Sequence, residues 1–387
     1  MFLWSTQAEE LGSAIPSTTP PAISAMTDKE KVGQLFIVGF EGTDISPVVK
    51  AHFEDLRPGG VLLFRKNLKS KQQLRSLTSH LQESQKTYMF IAVDQEGGVV
   101  TRIPTKPKMP SAAWMGRKNR PDLTEKLGFY MGRILQGYGI NMNLAPVLDV
   151  SAGKSSFLKS RAFSENPEVV AEQGAAFSKG LLQAGVLPTA KHFPGLGSID
   201  GDPHKESVNV SSTYKQVLSR DIAPFKKFST LVPSAIMLSH ATYPSLDPKL
   251  NPATFSSRIS SEILRKEVGF DGLVITDDLL MEGAVTSIKF ETRLIKALTS
   301  GTDMLLFAWS PKTQKKAQTT ILEALESGTL SKDWLNKRVE KILEVKNLIH
   351  EKQKVRSLAS DPETDYKNLI TELISVTAGR RQLYLGR

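Results

Sequence analysis

The chain has 387 residues, a formal net charge of +10, six histidines and no cysteine. That length can bury a large core without metal or disulfide staples, and the missing cysteines exclude disulfides, thiolate metal sites and a cysteine nucleophile. Basic residues are scattered in pairs such as Lys226-Lys227 and Arg380-Arg381, with no basic helix and no aromatic-rich RNA-binding consensus, so the charge reads as a solvated surface, with attraction to polyanions as the functional alternative and no nucleic-acid partner expected.

Residues 1–26 are rich in Ser, Thr, Pro and Ala without periodicity, and an extended or disordered leader is expected there. The opening MFLWSTQAEELG has neither a positive n-region nor an adequate apolar stretch, and no apolar run approaches the ~20 residues that span a bilayer. No transmembrane segment is expected; the expected location is the cytoplasm, or the periplasm or exterior if a signal has been removed. Thr27-Asp28-Lys29-Glu30 has the form of a capping box opening a short helix. Eight short apolar runs follow, over 35–40, 59–64, 89–94, 140–150, 186–193, 234–240, 272–278 and 303–309. Amphipathic segments of helical period lie between most of them, among them 71–86, 121–135, 167–183, 211–228, 256–268 and 288–298. Eight β-like runs alternating with helices predict an α/β fold, a (β/α)8 TIM-like barrel. The alternative is an open doubly wound sheet, but no GxGxxG turn follows the first run. Residues 311–352 read as two helices joined near Gly328, and the polar tail holds one candidate helix over 361–376. The expected organisation is a leader (1–26), a single barrel domain (27–352) and a partly helical C-terminal tail (353–387).

Several runs end in polar residues: Asp94, Asp149, Lys191-His192, Ser239-His240 and Asp277-Asp278. In a parallel barrel those ends open onto one face, which carries the chemistry. Taken singly, each has a structural reading; Asp149 reads equally as a helix cap or a loop anchor. Together they predict a polar pocket with charges of both signs. Metal ligation by Asp202, His204, His192 and His240 is the minor reading, because neither a suitably placed H-x-H nor HExxH occurs. The G-x-S-x-G elbow is absent, and the two acids of DQEGG (94–98) repel a phosphate. Carboxylates together with Lys, Arg and His suit a polyol, whose hydroxyls donate and accept, and one carboxylate can attack or stabilise an oxocarbenium-like centre. The stretch KHFPGLGSIDGDPHKE (191–206) holds two histidines twelve residues apart among three glycines and two prolines, a composition that fits only a loop.

Several blocks resemble the family-3 glycoside hydrolases, specifically the bacterial NagZ-type β-N-acetylhexosaminidases (β-N-acetylglucosaminidases). They are IAVDQEGGVVTRI (91–103), NMNLAPVLDV (141–150) with SRAFSENPEVV (160–170), KHFPGLGSIDGDPHKE, RDIAPFKKF (220–228), IMLSHATYPSLDP (236–248) and LRKEVGFDGLVITDDLLMEGA (264–284). The resemblance implies that Asp277 is a nucleophile forming a covalent glycosyl-enzyme, with Asp278 supporting it or its loop. It implies that His204 is the acid/base and Asp202 its partner; an imidazole with a pKa of ~6.5 suits both proton transfers near neutrality. Gly195, Gly197 and Gly201 would let that loop bend. Asp94, Arg161, Lys191 and His192 match sugar-binding positions, Arg102 matches a family arginine, and His240 and Met281 are expected to line the pocket. Two positions depart from the pattern: Leu196 stands where the family has His, and Val99 where it has Arg. The implied activity is removal of terminal GlcNAc from muropeptides or peptidoglycan fragments in cell-wall recycling, by a monomer with no metal or organic cofactor. The alternatives are a family-3 β-glucosidase or β-xylosidase, a GlcNAc phosphorylase, and, from another class, a non-catalytic sugar-binding barrel.

Overall fold

The computed structural model describes residues 23–151, 158–199, 208–281, 284, 288–354, 364 and 366–371. The leader up to residue 22, most of the tail, and Asp202 and His204 lie outside the described residues.

The apolar runs form strands that are buried on both faces, as strands enclosed by helices must be. They are β1 (Phe36–Val38), β2 (Gly60–Leu63), β3 (Phe90–Val93), β4 (Met142–Asn143), β5 (Leu187–Phe193), β6 (Ala235–Leu238), β7 (Leu273–Asp278) and β8 (Met304–Phe307). Each pairs in parallel with its neighbours in sequence, and β8 returns to β1 through Phe36↔Leu305, so the sheet closes into a barrel. The predicted barrel is the observed one. The run over 140–150 yields only a two-residue strand, because Pro146 has no N–H for the ladder; its carbonyl still accepts from Lys191 N–H at 3.0 Å.

The connecting helices start where side chains can take up their free N–H groups. Thr27 and Glu30 cap each other reciprocally, and Ser70 accepts from Gln73 N–H at the head of Lys71–Glu83. Proline opens the helices Pro121–Gln136 and Pro167–Gln183. These two pack closely because glycine lies at the contact: a Cβ on Gly128 would sit 2.2 Å from the Phe177 carbonyl oxygen. Two of the expected helices are wound more widely. Ile222 N–H bonds Val217 O, and Val268 N–H bonds Ile263 O, each a five-residue span. The helices Pro311–Glu326 and Lys332–Lys354 flank Gly328, whose φ is +75°.

The helix Lys332–Lys354 reaches the end of the barrel where β1 and β3 begin. Lys346 is buried there, donating to Gln34 Oε1 at 2.6 Å with its ammonium 5.4 Å from the Phe90 ring centre. Burial pushes its pKa down to about 7. The unfolded chain keeps a lysine near ~10.4, so between these values the unfolded state holds more protons and stability rises with pH. The penalty is full at and below the folded value. The shift corresponds to about 4–5 kcal/mol, offset in part because Met leaves the Gln34 oxygen without its donor, so Lys346→Met is expected to be more stable than the wild type by about 3 kcal/mol at pH 6, with the difference shrinking towards pH 10. Urea unfolding of both proteins across that range checks the sign and the window.

Candidate active site

All the polar strand ends lie at the C-terminal mouth, and the barrel brings them into contact. Lys191, near the end of β5, is buried between two carboxylates, with its ammonium 2.7 Å from Asp94 Oδ1 and 2.8 Å from Glu96 Oε1. Asp94 follows β3 directly, and Glu96 lies in a short hairpin formed by Gln95–Gly97 and Val100–Thr101. Arg161 closes the network with two parallel bonds to Glu96, each 2.8 Å, and Arg102 reaches Asp94 Oδ2 at 3.5 Å. Burial pushes Glu96 up, but Lys191 and Arg161 outweigh it and hold the carboxyl at about 2. Burial likewise opposes the Lys191 ammonium, yet Asp94 and Glu96 raise its pKa above the ordinary value. Both groups are ionised across the neutral range. Lys191 thus makes an ion pair deep in the mouth, and the network gathers Asp94, Glu96 and Arg161 around it.

His192 faces a different partner. Its Nδ1 lies 2.8 Å from Asp149 Oδ2, so that nitrogen carries the proton. The other oxygen of Asp149 accepts from the backbone N–H groups of His192 and Leu196. Asp149 is therefore a loop anchor and not a helix cap. Lys191 and His192 are neighbours in sequence yet both serve the mouth, because the pairing of β5 with β6 shifts register between Lys191 and Phe193.

Asp277 and Asp278 end β7, opposite β6. Asp277 keeps partial solvent access. Burial pushes its pKa up, but His192, His240, the N–H of Asp278 and Lys191 together bring the carboxyl below the usual carboxylate range. Asp278 behaves oppositely: burial pushes it up to about 6, although Ala308 and Leu280 donate backbone N–H bonds to it. His240 is buried, donates from Nε2 to the Asp278 carbonyl at 3.0 Å and meets Thr254 Oγ1 at Nδ1, 2.9 Å away. Burial lowers its pKa, although the Asp277 carboxylate and the Asp278 carbonyl pull it the other way. Met281 is partly buried in the turn after Asp278, its N–H bonded to the Asp278 carbonyl.

Of the expected site residues, Asp94, Arg102, Arg161, Lys191, His192, His240, Asp277 and Met281 thus fall at one end of the barrel. Glu96 escaped the sequence reading, although its place two residues beyond Asp94 in an extended stretch puts both on one side of the chain. Thr254 had no signal; it lies in the short 3-10 helix Ala253–Phe255, distant from the end of β6 in sequence but hydrogen-bonded to it. Leu196 is buried and contributes a backbone donor, while Val99, 76% exposed at the hairpin turn, lies outside the buried ion network.

Acids, bases and an ionised carboxylate gathered at the C-terminal mouth of a parallel barrel define an enzyme of the (β/α)8 class. Residues 27–345 match the N-terminal domain of glycosyl hydrolase family 3, and the chain belongs to this family of glycoside hydrolases. It is 34% identical over 287 residues to the beta-hexosaminidase of Nitrosomonas eutropha, covering 72% of this chain and 82% of that protein. Identity to the beta-hexosaminidase of Tolumonas auensis is 37% over 259 residues, 64% of this chain and 75% of that one. Among solved structures, a family-3 β-N-acetylglucosaminidase from a Paenibacillus species superposes with a TM-score of 0.83 at 31% identity, covering 90% of this chain and 69% of that one. The β-N-acetylglucosaminidase of Thermotoga maritima gives 0.72 at 29% identity, over 87% of this chain and 69% of that one.

Removing one charge from the Lys191 network leaves buried carboxylates uncompensated. Lys191→Met is expected to destabilise the fold by about 3–5 kcal/mol, and adding Glu96→Gln is expected to restore part of the loss. Denaturant unfolding of the two single variants and the double variant measures the coupling.

Proposed function

We propose that this protein is a retaining exo-β-N-acetylglucosaminidase that removes terminal GlcNAc from muropeptides or related cell-wall fragments. The observation that carries the reading is Asp277: a partly accessible carboxylate at a strand end, held ionised against its own burial by His192, His240 and Lys191. An ionised carboxylate that water reaches is the form a nucleophile requires. The names of the relatives favour a β-linked N-acetylhexosamine over glucose or xylose.

In the first step a carboxylate oxygen of Asp277 attacks the anomeric carbon and the bond to the leaving oxygen breaks. That oxygen takes the proton of the His204 imidazolium. In the second step water attacks the same carbon, the ester to Asp277 breaks, and His204 takes the water proton. Two inversions give net retention. Asp202 would orient the imidazole and stabilise its charged form. Assignment of this dyad rests on the sequence block 191–206, since both residues lie outside the described ones. Asp94, Lys191 and Arg161 suit the hydroxyls of the terminal sugar. Lys191 spends two of its three donors on Asp94 and Glu96, which leaves one for a hydroxyl.

The wild type is expected to release nitrophenol from the β-GlcNAc glycoside far faster than from the β-glucoside. Asp277→Asn is expected to lower kcat by about 10³ or more, and a 2-deoxy-2-fluoro glycoside to leave a mass adduct on the peptide that contains Asp277. Unchanged turnover in Asp277→Asn would sink the assignment, and inactivity of the wild type on both glycosides would favour a sugar-binding protein.

A further inference from the structure

Asp149 is wholly buried and spends both of its oxygens on the end of β5 and the residues just after it. Oδ1 accepts from the backbone N–H groups of His192 at 3.2 Å and Leu196 at 2.8 Å, and Oδ2 lies 2.8 Å from His192 Nδ1. Three donors on one carboxylate compensate the burial of its charge. They also grip the backbone and the ring of His192 together, so the imidazole cannot turn without stranding an oxygen.

His192 is itself buried, and its Nε2 makes no hydrogen bond to a described residue. The ring borders the same space as Asp277, whose carboxyl it influences. A carboxylate only accepts, so Nδ1 holds the hydrogen, and in the neutral ring Nε2 is left as an acceptor. Acceptors are otherwise committed in this part of the mouth. Asp94 takes bonds from Lys191 and Arg102, and Glu96 from Lys191 and Arg161. A sugar hydroxyl that receives the third N–H of Lys191 on its oxygen still needs somewhere to send its own hydrogen. His192 Nε2, on the adjacent residue, offers that place.

We propose that Asp149 is a positioning residue that sets the tautomer of His192, so that Nε2 receives the hydrogen of one sugar hydroxyl and the site demands a donor there. This rests on the reading that a β-GlcNAc glycoside binds at this mouth. Fluorine in place of that hydroxyl keeps the size and accepts weakly, but it cannot donate.

Asp149→Asn separates this role from anchoring. Its amide oxygen can still accept the two backbone N–H groups, which puts the NH2 group against the ring. An NH2 only donates, so Nδ1 must accept and the proton passes to Nε2.

The test uses a nitrophenyl β-GlcNAc glycoside and its analogues with fluorine at the 3-, 4- or 6-position, with the wild type, Asp149→Asn and His192→Ala. Fluorine also withdraws electrons and slows every form of the enzyme, so the ratio of kcat/KM for hydroxyl over fluorine is compared between proteins. Asp149→Asn is expected to lose about tenfold or more on the parent glycoside, and at one position its ratio is expected to be about tenfold smaller than that of the wild type. His192→Ala should reduce the ratio at the same position. Nitrogen-15 NMR of histidine-labelled protein, with the His192 signals identified by their loss in His192→Ala, is expected to show the proton on Nδ1 in the wild type and on Nε2 in Asp149→Asn. A uniform loss on all the glycosides in Asp149→Asn, or no loss, is what a merely structural role gives and overturns the proposal. A wild-type His192 with its proton on Nε2 overturns it too, and that measurement stands even if Asp149→Asn fails to fold. Inactivity of the wild type on the parent glycoside sinks the functional reading instead, while the NMR result still decides the tautomer.

Discussion

One buried ammonium organises the mouth of this barrel. Lys191 lies between Asp94 and Glu96, and Arg161 grips Glu96 from the other side. Each of these groups has lost water, so each must find its hydrogen bonds inside the protein. That requirement couples three chain segments: the end of β5, the hairpin after β3 and the segment that carries Arg161. None of the three can shift alone without stranding a charge. The network therefore does for the mouth what close packing does for the aliphatic core: it leaves one low-energy arrangement.

The two aspartates at the end of β7 show how finely position decides chemistry. They are adjacent in sequence and both are largely shielded from water. Asp277 has the imidazoles of His192 and His240 and the Lys191 ammonium around it, and its carboxyl is drawn below the ordinary range. Asp278 has only two backbone N–H groups, from Ala308 and Leu280, and burial prevails. The pair consequently holds a firmly ionised group beside one that titrates near pH 6, a separation that suits a division of roles. Asp278 also ties β7 to the end of β8 through Ala308, and its carbonyl orients His240.

Asp221 and the far end of the barrel follow the same logic of compensated burial. Asp221 is buried, and Arg220 answers it while donating to Ser198 and Ser212. At the opposite end, Lys346 is buried with Gln34 as its polar partner, and among the described residues no carboxylate opposes the desolvation that drives its pKa down. Lys191 and Lys346 are equally hidden lysines with opposite shifts, and the difference between them is the presence of two carboxylates.

Much of this was legible in the linear chain. Apolar runs bounded by turn residues marked the strands, capping residues and prolines marked helix starts, and polar residues at the ends of runs marked the mouth, because strand and helix periodicities are local properties. The wide turns near Asp221 and Val268 were not legible, since an inserted residue leaves the apolar period nearly unchanged. Glu96 and Thr254 were passed over for a related reason: Lys191, the partner of Glu96, comes from another strand, and Thr254 meets His240 only because the connection between β6 and β7 folds back on itself. The order of residues sets which side chains exist and which end of each strand they occupy. Only closure of the barrel, which brings β3, β5 and β7 around a common axis, decides which charge faces which, and electrostatic energy depends on that distance and not on separation along the chain.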